Sequence, residues 1–432
     1  MAGQMKNSGI EWIGDIPAHW SMKRLKALFL ERKEKNDPVK TDFILSLGAA
    51  YGVVPYSEKE GGGNKAKEDL TDYRLAYPND IVMNSMNIIS GSVGISKYFG
   101  CVSPVYYMLY PRQDDVDPDF YCFLFQTKAF QRSLLGLGNG ILMKESSNGN
   151  FNTVRMRIPM EKLGVQLLPV PPYEEQKRIA DFLDRTCAEI DTVIEKTKTT
   201  IEEYKKLKQS VITEAVTKGI RGDRPMKDSG IEWIGNIPAD WDIKVAFQLF
   251  KQVKNKNEGL IEQNLLSLSY GKIKRRNIDA VGGLLPESFD GYNIIEKDDI
   301  VLRLTDLQND QTSLRVGLAN ERGIVTSAYL TLRNQSANTP LYLYYYLHSF
   351  DLCKGFYGMG AGVRQGLNWD GLKLLKFALP SVEEQMEITE YLEKKCSEID
   401  ELIEKKTVLL AEMESYKKSV IYEYVTGKKE VQ

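Results

Sequence analysis

Histidine is scarce: His19 and His348 are the two in a chain of 432 residues. That leaves little room for imidazole acid–base or metal chemistry. Five scattered cysteines include no Cys-x-x-Cys pair, which argues against both a disulfide framework and a zinc site. Nowhere do eighteen apolar residues run together, so no membrane span is expected. The opening MAGQMKNSGIEWIG lacks the apolar core of a secretory signal. A P-loop, an HExxH pair and a nucleophile elbow are also missing, so no catalytic constellation stands out. A strong charge of either sign is absent, since the formal net charge is −2. These absences point to a cytosolic, cytoplasmic protein without a membrane segment, a metal site or catalysis of its own.

What the chain does have, it has twice. Residues 172–218 begin PYEEQKRIADFL and return as 381–427, beginning SVEEQMEITEYL, at a constant offset of 209. Gln176, Ile179, Leu183, Ile190 and Ile194 fall on Gln385, Ile388, Leu392, Ile399 and Ile403. The apolar positions are separated by threes and fours over several heptads, which predicts one long helix per copy. Glu174, Glu175, Glu383 and Glu384 stand where the positive end of a helix favours acids. Ser381 with Glu384 fits a capping box, and Pro172 suits a helix start. Thr186, Thr197, Lys208 and Lys406 interrupt the stripe. The seam therefore specifies a homodimeric coiled coil weakly, and the copies could instead pair antiparallel within one chain. Two helices of an ordinary bundle core remain the plainer alternative.

A second repeat sets the plan. GIEWIGDIPAHW at 9–20 returns as GIEWIGNIPADW at 230–241, differing at two positions. Such a segment is expected to pack as a short irregular plug. The chain then divides into a plug at 1–19, a mixed α/β domain at 20–170 and a helix at 171–219. A linker and second plug at 220–240, a second domain at 241–379 and a second helix at 380–428 follow. The fold class is α+β: two mixed α/β domains related by an internal repeat and separated by two long antiparallel coiled-coil helices. The domains match in frame more than in text, as Asp80-Ile81-Val82 does with Asp299-Ile300-Val301, and Gly100 with Gly323. FYCFLFQTKAFQRSLL and LYLYYYLHSFDLCKGF each read as one helix.

Positive charge is shifted into the two globular segments and away from the helices. Tyr270, Lys272, Lys274, Arg275 and Arg276 place four cations and an aromatic within seven residues. That arrangement can neutralise phosphates and leave a cation for guanine edges. The first-half counterpart lies near Tyr51, followed by Lys65 and Lys67. Arg303 and Arg364, with Asn84 and Lys144 at the nearest first-half positions, complete the candidate DNA contacts. Each alone reads as a solvated charge, but the set recurs in both halves. GLGNG at 136–140 and GMGAG at 358–362 open no βαβ unit. They read as hinges or close backbone approaches.

Val170-Pro171-Pro172-Tyr173 resembles the Asn/Asp-Pro-Pro-Tyr of adenine methyltransferases, but the leading acid or amide is missing. The doubled plug and the doubled EEQ-x-x-I-x-x-x-L helix together resemble the DNA-specificity subunits of type I restriction–modification systems, from Met5 to about Lys428. The resemblance implies two target recognition domains, each reading one half-site of double-stranded DNA, held apart by the helices. It implies a non-catalytic subunit that docks two methyltransferase and two restriction/translocase subunits. S-adenosylmethionine, ATP and Mg2+ would be bound by those partners and by nothing in this chain. Partner docking is carried onto the helices, at Gln176, Ile179, Leu183, Ile190, Ile194 and their second-copy equivalents. A coiled-coil scaffold that binds only proteins, and a self-contained methyltransferase or nuclease, are the competing functions.

Overall fold

The periodic stretches form two helices of great length. A computed structural model describes residues 4–49, 51–59, 65–138, 144–145, 151–152, 157–278, 288–307, 314–359 and 366–431. The main helices are α1 (Pro118–Gln126), α2 (Tyr173–Lys218), α3 (Pro340–Leu352) and α4 (Val382–Val425). α2 has 46 residues and α4 has 44, so each runs roughly 65–70 Å at 1.5 Å per residue. Their stripe is buried as the spacing requires: Ile179, Leu183, Ile190, Ile388, Leu392 and Ile399 are all under a tenth exposed. Gly219 and Gly427 follow the helices with φ of 76° and 69°, left-handed geometry that suits glycine just beyond a helix end. At the start of α4 the hydroxyl of Ser381 accepts from the Glu384 amide at 3.3 Å. The reciprocal arm of the expected capping box is missing, because the Glu384 carboxylate is held by Arg224 and Trp241.

The chain divides into two compact units, Met1–Thr197 with Val408–Gln432, and Lys198–Thr407. Each unit therefore contains a stretch of both long helices, and each has its own core. In the first, Ile13, Ile16 and Trp20 pack with Phe120, Phe125, Ile179, Leu183, Val420 and Val425. In the second, Ile231, Ile237 and Trp241 pack with Ile212, Val216, Tyr342, Tyr346, Ile388 and Leu392. Within each unit the two helical stretches run antiparallel. Phe182 lies against Tyr424 while Asp191 pairs with Lys417 in the first. Lys208 pairs with Asp400 while Arg221 pairs with Glu387 in the second.

The strands repeat in the same order. The first unit has a four-stranded antiparallel sheet in the spatial order Phe29–Arg32, Tyr106–Pro111, Ile81–Asn84, Val93–Ile95. The second has Phe250–Gln252, Leu330–Asn334, Ile300–Leu302, Val316–Leu318. Arg74–Ala76 pairs with Gly100–Val102, as Asn293–Ile295 does with Gly323–Val325. Gly100 and Gly323 are glycine for the same reason. A Cβ there would sit 2.6 Å from the Phe43 carbonyl oxygen and 2.5 Å from that of Asn264.

Both units bury the same carboxylate. Asp80 is gripped by Arg32 at 2.8 and 3.0 Å, and Asp299 by Arg333 at 2.7 and 2.6 Å. The arginines come from different strands. Arg333 takes the sheet position that Tyr110 holds in the first unit, where Tyr110 and Tyr77 stack against Arg32 at 4.5 and 4.3 Å.

Two local expectations are corrected. The plug is a regular two-stranded hairpin, Met5–Asn7 with Asp15–Pro17 and Met226–Asp228 with Asn236–Pro238. Its tryptophans, Trp20 and Trp241, donate to Glu175 at 3.1 Å and Glu384 at 3.3 Å. The stretch read as a single helix after residue 119 breaks at Thr127, whose hydroxyl caps Lys128–Ser133 by accepting from Phe130 at 3.2 Å. A threonine that offers the backbone a cap competes with helix continuation. The expected α3 is one helix, ending in a short 3-10 turn at Gly355–Gly358.

Candidate nucleic-acid interface

The basic run folds as one arm of a hairpin. Leu266–Ser269 pairs antiparallel with Lys272–Arg275, and Ser269 lies opposite Lys272. Tyr270 and Gly271 form the two-residue turn with φ of 48° and 74°. Positive φ at both positions is the mark of a type I′ turn, whose twist matches the strands it joins. Alternation then divides the side chains. Leu266, Leu268 and Ile273 face the core, while Lys272, Lys274 and Arg276 are exposed. Ser267 and Ser269 lie opposite Lys274 and Lys272, on the same outward side. These two serines were not among the sequence candidates, although the alternation in LSLS would have found them.

The hairpin is braced from below. A Cβ on Gly317 would meet Leu268 at 2.6 Å and Ile273 at 3.0 Å, so the hairpin lies directly on that strand. Arg275 is held by Glu321, and the guanidinium pulls that carboxyl below its ordinary range. Among the described residues, Lys272 and Lys274 make no ion pair. Asn264, just before the hairpin, donates to the Arg322 carbonyl at 2.7 Å.

The first unit has the same hairpin with other text. Leu45–Gly48 pairs with Gly52–Pro55, so Gly, Val, Val and Pro stand where the second unit has Lys, Ile, Lys and Arg. Tyr51 is half-buried, with its ring over Gly48. Lys65 and Lys67 are exposed, and this segment is tied back by hydrogen bonds that the Ala66 amide donates to the Tyr56 hydroxyl and the Lys67 amide to the Tyr73 hydroxyl.

The remaining candidates are less alike. Asn84 is buried at a strand end, where its side-chain oxygen accepts from the Met86 amide at 3.1 Å. Arg303 is half-buried, and its amide donates to the Arg315 carbonyl at 2.9 Å. Arg315 itself is fully buried and donates to the carbonyls of Arg303 and Thr305 at 3.1 and 2.9 Å. A buried guanidinium that satisfies loop carbonyls fixes that loop, and isolated sequence reading gave no sign of it. Lys144 lies in the short strand Lys144–Glu145, paired with Phe151–Asn152. Arg364 and much of both glycine runs lie outside the described residues.

The helix residues carried over for partner docking point inward. Gln176 and Gln385 are 1% and 0% exposed. Gln176 accepts from the Asp117 amide at 2.9 Å and donates to the carbonyl of Pro171 at 2.9 Å. Gln385 accepts from the Thr339 amide at 2.9 Å and donates to the carbonyl of Pro380 at 3.0 Å. Ile179, Leu183, Ile190, Ile194, Ile388, Leu392 and Ile399 are buried, and Ile403 is half-buried. The outward face carries Val193, Leu207, Met386, Leu402 and Tyr416 instead, each more than a third exposed. Among the described residues no helix is long and apolar enough to cross a membrane, and no metal-binding cluster forms.

The model of the type I restriction modification DNA specificity domain matches residues 17–203. The MjaVIII type I restriction enzyme specificity subunit of Methanocaldococcus jannaschii is 24% identical, over 96% of this chain and 93% of its own. The EcoBI type I restriction enzyme specificity subunit of Escherichia coli is 22% identical, over 65% of this chain and 62% of its own. The HsdS subunit from Thermoanaerobacter tengcongensis has the same fold at a TM-score of 0.53 and 13% identity, covering 96% of this chain and 98% of that one. A chain from a solved assembly of a type I restriction–modification system reaches a TM-score of 0.71 at 14% identity, covering 96% and 99%. In its matched domain and along nearly its whole length, the chain is similar to type I restriction–modification DNA specificity subunits.

Proposed function

We propose that this chain recognises a bipartite site in double-stranded DNA, one half-site per unit, and carries that recognition to catalytic partners. The observation that carries the reading is the repetition itself. Two units share one strand order and one hairpin position, yet the hairpins differ in the side chains they present. A constant frame with variable text is what two readers of different short sequences require. The long helices are the means of holding two readers at a set spacing, as paired half-site readers need. Their exposed apolar face offers a surface for methyltransferase subunits, with restriction/translocase subunits completing the assembly. S-adenosylmethionine, ATP and Mg2+ belong to those subunits. Because a methyltransferase must reach an adenine inside the duplex, it would flip that base out.

The test replaces residues 20–157 with the corresponding segment of another specificity subunit and maps methylated adenines by long-read sequencing. One half-site should change while the other stays. Replacement of both half-sites, or of neither, would contradict the assignment. Absence of any salt-dependent binding to duplex DNA, with partners present, would favour a protein-only scaffold.

A further inference from the structure

We propose that Tyr270 is an aromatic wedge, seated against a base step of duplex DNA while Lys272 and Lys274 follow the flanking phosphates. The inference rests on the DNA-reading function above and adds a role for one side chain. Tyr270 is 80% exposed, more than any other large apolar side chain among the described residues. It occupies the first turn position with φ of 48°, where asparagine, aspartate or glycine is favoured and an aromatic is not. The ring makes no aromatic contact among the described residues, so no ring stacking among them offsets that backbone conformation. A disfavoured conformation without a folding return points to a use outside the fold.

The rest of the hairpin is built to hold that tip still. Leu268 and Ile273 rest on Gly317, and Gly271 lies against Leu314. Two strands about 4.8 Å apart form a ribbon of the kind the major groove admits. The first unit supplies the contrast. There the equivalent arm carries no cation, and Tyr51 folds back over Gly48. The two readers are therefore unequal, and the second adds a stacking contact.

The test uses the full chain and a duplex carrying its mapped methylation site, with 2-aminopurine placed in turn through the half-site that follows residues 241–379 in a domain exchange. Tyr270→Asn suits the turn and should fold at least as well as the wild type. It should weaken binding about tenfold, in keeping with the loss of one stacked aromatic, and abolish a fluorescence rise that the wild type shows at one step. Tyr270→Phe should retain both. The pair Lys272→Gln and Lys274→Gln should keep the fluorescence rise and reduce the slope of log K against log salt by about 1.8, near 0.9 per phosphate contact. Tyr270→Asn binding within twofold of wild type, with fluorescence unchanged, overturns the wedge alone. A wild-type chain that binds no duplex overturns the DNA-reading function first.

Discussion

The Lys208 ammonium meets the Asp400 carboxylate at 2.6 Å, and Lys417 meets Asp191 at the same distance. Both pairs follow from the offset of 209 that relates the two helices, since Lys208 falls on Lys417 and Asp191 on Asp400. Lys208 interrupts the apolar stripe in the sequence, yet the fold uses it to fix the antiparallel pairing of the second unit. Both partners are partly exposed, so each pair is expected to contribute about 0.5 kcal/mol. A double-mutant cycle on Lys208→Ala and Asp400→Ala, read by urea denaturation, should return a coupling of that size. The charge-swapped pair Lys208→Asp with Asp400→Lys should recover most of the stability that either single reversal loses.

Gln385 separates folding from docking. It is fully buried and bonds the Thr339 amide, the Asn338 side chain and the Pro380 carbonyl. Gln385→Leu leaves those groups without partners, so a loss of about 3 kcal/mol is expected. The same change at Gln176 should act alike in the first unit. A docking role would give the opposite pattern, with partner binding lost and the denaturation midpoint unchanged.

The buried arginine–carboxylate pairs carry more stability than those on the helix surface. Asp299 is 1% exposed and bidentate to Arg333. Asp299→Ala leaves the guanidinium without its partner, and about 3 kcal/mol of stability should be lost. Asp80→Ala should do the same through Arg32. Circular dichroism melts of the two variants should show similar shifts, because the pair survives although its arginine has moved to another strand.

His348 gives the chain an acid limit. Burial, and then the nearby Lys208, push its pKa down to about 4 from 6.5, and its Nδ1 is buried without a hydrogen-bond partner among the described residues. The unfolded chain therefore binds this proton first. Its contribution is complete above pH 6.5 and is lost as the pH falls toward 4, by up to about 3 kcal/mol. Denaturation of the wild type and of His348→Gln across pH 4–7 should show a shallower decline in the variant.

The parts legible in the sequence are those set by period and repetition. Ile179, Leu183, Ile388 and Leu392 announced the helices, and the two GIEWIG segments announced the doubling. The stretch around Tyr270 was visible as a basic run of four cations in seven residues, though not as a hairpin. What stayed hidden depends on partners distant in the chain. Arg315 looks like any surface arginine until Thr305 and Arg303 close around it. Gln176 and Gln385 share a helix period that says nothing of the loops at Asp117 and Thr339. Thr127 reads as an ordinary helix residue, because the sequence does not show whether its hydroxyl caps a new helix, as it does here on the Phe130 amide, or lets the old one continue.

The function proposed above requires a fixed distance between two half-site readers. Seven residues in helical register, inserted after Thr197 and again after Thr407, would lengthen both helices by about 10 Å and keep the stripe on its face. Long-read mapping of methylated adenines is the measurement. The account predicts both half-sites unchanged, with a spacer longer by about three base pairs. An unchanged spacer with full methylation, or altered half-sites, would contradict it.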